Sequence, residues 1–278
     1  MKTGMIRRIA VAIDCSPCSL ASLNAAAEMA GMLRAELIGI FVEDINLLRM
    51  AELPFAEEIR LYTATKEKIG TEQLERLLRL QAREARQLLQ RAAEQFTIPH
   101  SFRVSRGIVP EEVIAAAIEA DLLVLGRSGR SPSCRKGLGS TAKTALAKGK
   151  KTVMLMRPGF SVTTPLLVLY DGTEGSRAAL ETARDITRPG GTLHLLFTAE
   201  TPEEKTRCER EAVSMLSGTG IRPEFHHLPL SNGKRLAQFI RMIDSGILIL
   251  SDRMGLSDET LRNLIDEIDY PVLLVRQP

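Results

Sequence analysis

Ile9-Ala10-Val11-Ala12-Ile13-Asp14-Cys15-Ser16-Pro17-Cys18-Ser19 opens with an apolar run, meets an acid and a short polar turn, and passes into an alanine-rich stretch that continues to Leu33. A short, unbroken apolar run is the signature of a strand buried on both faces, and the stretch from Ser19 to Leu33 predicts a helix directly behind it. A second run, Glu36-Leu37-Ile38-Gly39-Ile40-Phe41-Val42, predicts the next parallel strand. Strand, turn, helix and strand in this order place the chain in the α/β class.

The pattern extends outward from there. Leu74, Leu77, Leu78, Ala85, Leu88, Leu89, Ala92 and Phe96 recur at helical spacing, with Arg76, Arg79, Arg83 and Arg91 between them. They predict a long amphipathic helix, and core packing with a solvated basic face is preferred over a membrane-surface or partner helix. A strand over Ser101–Val104, a helix over Pro110–Glu119, a strand over Leu122–Leu125, a helix over Ser140–Ala147 and a strand over Thr152–Met156 complete a first unit. After a linker around Pro158 to Pro165, Leu166-Leu167-Val168-Leu169-Tyr170-Asp171-Gly172-Thr173-Glu174-Gly175-Ser176 repeats the opening, with Asp171 and Ser176 at one common offset from Asp14 and Ser19. Gly246–Leu250 and Pro271–Arg276 likewise repeat Asp121–Leu125 and Lys151–Arg157. A shared offset points to duplication, so two tandem domains are expected, 1–158 and 165–278, each a parallel five-stranded sheet flanked by helices.

Composition removes several functional classes. A net charge of +3 across 278 residues is too small to suggest a nucleic-acid partner. No apolar run is long enough for membrane insertion, and the N-terminus lacks the pattern of a signal peptide, so a cytoplasmic protein is expected. Four cysteines are too few for a disulfide framework in a chain of this size.

The chemistry is concentrated in Gly126-Arg127-Ser128-Gly129-Arg130-Ser131-Pro132-Ser133-Cys134-Arg135-Lys136-Gly137-Leu138-Gly139-Ser140-Thr141, which begins where a buried strand ends and finishes where a helix begins. Ligands of open α/β sheets bind at that carboxyl edge, and a helix N-terminus offers unpaired N–H groups to an anion. The glycines are expected to let the backbone approach phosphates and to adopt positive φ, and Ser140 to cap the helix or donate its hydroxyl. Arg127, Arg130, Arg135, Lys136 and Lys143 add positive charge nearby. The Walker spacing fails because no Gly-Lys-Ser/Thr occurs, and Gly137-Leu138-Gly139-Ser140-Thr141-Ala142 satisfies G-x-G-x-x-A too far past its strand for a dinucleotide fingerprint.

Gly126, Gly129, Gly139 and Ser140 do fit G-x2-G-x9-G-S, and through this spacing the chain resembles the ATP-binding branch of the universal stress protein family. The opening strand and turn resemble that family's first strand and Asp-Gly-Ser turn, with Cys15 in place of the glycine. The resemblance implies the adenine nucleotide alpha hydrolase-like fold. It further implies that Asp14 and Val42 hold adenosine, and that Gly126, Gly129, Gly139 and Ser140, with Thr141 beside them, wrap ribose and phosphates carrying Mg²⁺ or Mn²⁺. It implies a stress-response or signalling module, pairing of the two halves through Thr152–Met156 and Val272–Val275, and a homodimer. The stretch from Ile45 to Glu75 is long for the family.

The corresponding segment of the second half, Ser251-Asp252-Arg253-Met254-Gly255-Leu256-Ser257-Asp258-Glu259-Thr260, lacks the motif and carries acids, so no ATP is expected there. One nucleotide per chain follows. No catalytic constellation is evident, which leaves slow hydrolysis at most. The histidines His100, His194, His226 and His227 lie away from the loop, and His226-His227 alone is too sparse for a zinc site. Two other readings stay open. Cys15-Ser16-Pro17-Cys18 is a C-x-x-C at a strand-to-helix turn and suits a redox- or metal-responsive role, with Cys134 gating the pocket. A non-nucleotide interaction protein regulating a transporter or sensor kinase is the other.

Overall fold

The computed structural model describes residues 6–53, 57–59, 66–68, 70–129, 137–162, 165–198, 201–228, 233–243 and 246–277. The first half runs β1 (Arg8–Ala12), α1 (Pro17–Leu33), β2 (Glu36–Asp44), α2 (Ile45–Ala51), β3 (Glu57–Ile59), β4 (Lys66–Lys68), α3 (Thr71–Phe96), β5 (His100–Gly107), α4 (Val109–Ala116), β6 (Leu122–Gly126), α5 (Ser140–Lys148) and β7 (Thr152–Met156). The second half runs β8 (Leu166–Tyr170), α6 (Glu174–Ile186), β9 (Thr192–Phe197), α7 (Pro202–Leu216), β10 (Arg222–His227), α8 (Gly233–Ile243), β11 (Ile247–Ser251), α9 (Asp258–Glu267) and β12 (Val272–Val275).

Apart from the β3–β4 hairpin, the strands form one ten-stranded sheet in the order β10-β9-β8-β11-β12-β7-β6-β1-β2-β5. Each half contributes five strands, parallel to one another, as the continuous apolar runs predict. Alternate residues of each strand feed opposite cores. Ile9, Val11, Leu122, Val124 and their counterparts Leu166, Val168, Ile247 and Ile249 meet α1, α3, α6 and α7. Ala10, Leu123, Leu125, Leu167, Leu169, Leu248 and Leu250 meet α4, α5, α8 and α9. Helices cover both faces, which is what a parallel sheet requires.

Helix α3 buries Leu78, Ala82, Ala85, Leu89, Ala92 and Ala93. Its stripe is narrower than the leucine pattern suggests, because Leu77 is 47% exposed. The small alanines bring α3 close to the alanine-rich α1, and Arg106 ties the layer down by bonding both Glu43 on β2 and Glu75 on α3. The described parts of the stretch from Ile45 to Glu75 form α2, the β3–β4 hairpin and the start of α3, while α4 ends at Ala116 rather than Glu119. Among the described residues no helix is long and apolar enough to cross a membrane.

The halves join where the resemblance places the seam. β7 and β12 pair antiparallel, Leu155 against Val272, Met154 against Leu273 and Val153 against Leu274. Thr152 extends the ladder through its hydroxyl, which accepts from Arg276 N at 3.1 Å. Two arginines then clasp opposite helices. The Arg276 guanidinium donates to the last carbonyls of α5, Ala145 O at 3.1 Å with Leu146 O, and to Gly149 O just beyond, and its Nε also bonds Asp252 at 3.1 Å. Arg157, at the matching place in the first half, donates to Asp269 O at 2.7 Å, just past α9. A helix C-terminus is the negative end of its dipole and leaves carbonyls unpaired, so a cation is doubly suited there. The Arg276 side chain is only 9% exposed. Arg276→Ala removes the guanidinium donor from Leu146 O and Gly149 O, while Ala145 O keeps Gly149 N, and is expected to cost about 2–4 kcal/mol, seen as a lower urea midpoint, with Arg276→Lys intermediate.

Candidate functional site

The strand order of the first half reverses at β1, which lies between β2 and β6. At such a switch point the loops leaving neighbouring strands part in opposite directions and open a crevice at the carboxyl edge. A cavity of about 450 Å³ lies there. Asp14, Val42, Gly126, Gly129, Gly139, Ser140 and Thr141 all line it, so the structure brings together every site residue anticipated from sequence.

Asp14 is fixed by its own turn. Its Oδ1 accepts from Ser16 N at 2.9 Å, and its N–H donates to Ser19 Oγ at 3.3 Å. Ser16 caps α1 by accepting from Ser19 N at 3.2 Å. Among the described residues Asp14 Oδ2 accepts no hydrogen bond, and it borders the cavity close to Gly129. Cys15 sits at φ 61°, the left-handed region, and its counterpart in the second half is Gly172 at φ 77°. The turn therefore needs a left-handed residue, which glycine supplies without strain and cysteine at a cost of about 1 kcal/mol.

The cysteines of the C-x-x-C engage different elements. Cys15 Sγ lies 4.0 Å from Gln81 O on α3, and Cys18 Sγ lies 3.3 Å from Ser128 Oγ after β6. Neither sulfur is in a disulfide. Cys134, with Arg130, Arg135 and Lys136, falls outside the described residues.

The glycines act differently from the expectation of positive φ. Among the described residues of the loop that conformation belongs to Gly137, at φ 103°, and not to the motif glycines. Gly126 is required by packing: a Cβ there would stand 2.9 Å from Cys18 Cβ and 3.1 Å from Cys18 C. Gly139 N donates to Arg127 O at 2.8 Å, closing the loop on itself. Gly139, not Ser140, is the N-cap of α5, and no side chain caps that helix. Its first-turn N–H groups therefore retain capacity for an acceptor in the cavity, where Ser140, Thr141 and Ala142 sit.

Arg127 departs from the expectation that it adds charge near the phosphates. It is 4% exposed and turned to the seam, where Nη2 donates to Ile265 O at 2.5 Å and Asp266 O at 3.0 Å near the end of α9. Burial, and then the nearby Arg157 charge, lower its pKa from the ordinary arginine value. Lys143 is exposed on α5 and does not line the cavity.

The sequence did not announce the rest of the wall. Leu47 of α2, Leu78 and Gln81 of α3, and Val109 and Val113 at α4 line the cavity beside Ile40 and Val42. Helical periodicity marks Leu78 as apolar but not which end of α3 overhangs the sheet edge. The outcome is a lining of two kinds: an apolar wall from β2, α2, α3 and α4, and a polar wall of backbone and hydroxyls from the loop and α5.

The second half repeats the wiring and closes it. Thr173 N donates to Asp171 Oδ1 at 3.0 Å, and Thr173 caps α6 as Ser16 caps α1. Here Asp171 Oδ2 is taken, accepting from Gly255 N at 2.7 Å. Helix α9, the counterpart of α5, is capped by Ser257, which accepts from Thr260 N at 3.2 Å, and carries Asp258 and Glu259 in its first turn. Neither the open carboxylate oxygen nor the uncapped helix start of the first half has an equivalent here.

Comparison with known proteins agrees with this architecture. The model of the universal stress protein family matches residues 5–157. A universal stress protein from Archaeoglobus fulgidus, 18% identical, superposes with a TM-score of 0.72 over 98% of this chain and 98% of that one. A functionally unknown protein from Pseudomonas aeruginosa, 15% identical, superposes with a TM-score of 0.57 over 98% of this chain and 92% of that one. At these identities the likeness is one of fold. No curated protein matches in sequence.

The packing role of Gly126 is directly testable. Gly126→Ala forces α1 away from β6 and is expected to destabilise the chain by about 1–3 kcal/mol, measured as a lower melting temperature without any ligand present.

Proposed function

The chain belongs to the universal stress protein family, and from that premise we propose that its first half holds one adenine nucleotide, ATP in the first instance, as a stress-response or signalling module. The observation that carries this is a paired vacancy of hydrogen-bonding capacity on one cavity: Asp14 Oδ2 without a partner among the described residues and α5 without a side-chain cap. Both are filled in the second half.

The two kinds of lining suit the two parts of such a ligand. Ile40, Val42, Leu47, Val109 and Val113 offer an apolar slot for a base, Asp14 an acceptor for ribose hydroxyls or the base, and Gly129, Ser140 and Thr141 donors for phosphate oxygens, with Gly139, whose own N–H is taken by Arg127 O, leaving room for them to approach. Mg²⁺ or Mn²⁺ would ride on the phosphates and neutralise part of their charge. The same reading takes 1–158 and 165–278 as tandem domains, supported by the identical strand order of the two halves, and gives the second a partnering role without nucleotide.

Equilibrium binding of ATP with Mg²⁺ to the full chain tests the proposal. One equivalent per chain is expected. Asp14→Ala and Gly139→Val should each weaken binding by at least about tenfold, the scale of one lost charge-assisted contact. No binding at millimolar ATP, or two equivalents per chain, would reject it. Mass spectrometry of small molecules released on denaturation identifies the nucleotide retained.

A further inference from the structure

His194 on β9 and Glu224 on β10 are direct partners in the parallel register, and His226 follows two residues along β10. Period-two alternation puts all three on one face of the sheet, the side that carries α8 and α9. Their donor atoms converge. His194 Nδ1 lies 3.1 Å from His226 Nε2 and 3.4 Å from a Glu224 carboxylate oxygen, and the three groups each bring one donor atom within 4.8 Å of the others. We propose that His194, His226 and Glu224 form a site for a divalent transition-metal ion of the zinc class, independent of the nucleotide cavity.

Geometry supports this in detail. Bonds of about 2.0–2.1 Å to a tetrahedral Zn²⁺ separate adjacent donors by roughly 3.3 Å, and the two separations at His194 Nδ1 bracket that length. One imidazole N–H cannot serve both neighbours of His194 Nδ1 at once, whereas a cation accepts a lone pair from each of the three. His194 is 8% exposed, so its ring is held before any ion arrives. Two imidazoles and one carboxylate suit Zn²⁺, Co²⁺ or Ni²⁺ rather than Mg²⁺ or Ca²⁺, and leave a fourth position for water.

The other histidines are engaged elsewhere. His227 points to the opposite face, stacks on Phe197 and pairs with Glu209 at 2.9 Å, and His100 begins β5 at the far edge of the sheet. β10 is an outermost strand whose one neighbour in the sheet is β9. An ion bridging the two strands therefore fastens the edge of the second half, and its binding free energy adds to stability because the unfolded chain has no such constellation.

The test is titration of chelator-stripped, nucleotide-free full chain with ZnCl₂, and with CoCl₂ as a spectroscopic probe. One equivalent is expected, with a tetrahedral Co²⁺ visible band, no thiolate charge-transfer band, and a rise in melting temperature. His226→Gln should lose affinity at least about tenfold and lose the thermal shift, while Cys15→Ser/Cys18→Ser retains both. Glu224→Gln, at an exposed side chain, supplies the same comparison where His226→Gln melts early without metal. Absence of stoichiometric binding to the wild type, undiminished binding by both His226→Gln and Glu224→Gln, or loss of binding in the cysteine variant would overturn the assignment.

Discussion

The antiparallel ladder between β7 and β12 is the constraint on which this molecule is assembled. Each half is a parallel sheet whose fifth strand would otherwise end as an open edge, a template for unwanted pairing. Joining the two fifth strands removes both edges and makes one sheet of ten strands. The arginine clasps depend on that ladder, because only there does the end of one half's last strand reach the last helix of the other. Exposed contacts across the seam, such as Arg188 with Glu28 at 2.9 Å, add little by comparison.

Within that frame the two halves show how one turn serves two ends. Asp14 and Asp171 are held by equivalent turns, Ser16 with Ser19 in one and Thr173 with Ser176 in the other. The difference lies in what meets the second carboxylate oxygen and the N-terminus of the following helix. In the second half the backbone of Gly255 and the hydroxyl of Ser257 satisfy both from within. In the first half no described residue satisfies either, and both border the cavity. Fold and local wiring are shared, and the halves differ by a few hydrogen bonds at the carboxyl edge.

Much of this was legible in the sequence for identifiable reasons. Buried parallel strands read as unbroken apolar runs, so β1, β2, β6, β7, β8, β11 and β12 stood out, and the common offset of Asp171 and Ser176 disclosed the repeat. The G-x2-G-x9-G-S spacing collected Gly126, Gly129, Gly139 and Ser140 of the polar wall. What stayed hidden depends on neighbours remote in sequence. Arg127 sits among loop cations, yet its side chain leaves the loop for carbonyls of α9. Gly126 looks like a phosphate-approach glycine, and its measurable constraint is Cys18 of α1. His226-His227 was too sparse as a pair because adjacent strand residues face opposite ways. His194 becomes a neighbour of His226 only once β9 and β10 are known to pair.

The direction of the seam carries one more implication. Since β7 and β12 run antiparallel while corresponding helices share a face, the halves are related by about a half-turn around an axis normal to the sheet. The cavity of the first half and the acid-bearing turn of the second consequently open at opposite rims. A body docking against one rim meets the carboxyl-edge cavity of the first half beside the strand beginnings of the second, and never two copies of one surface. One sheet thus carries two unlike rims, each built from both halves.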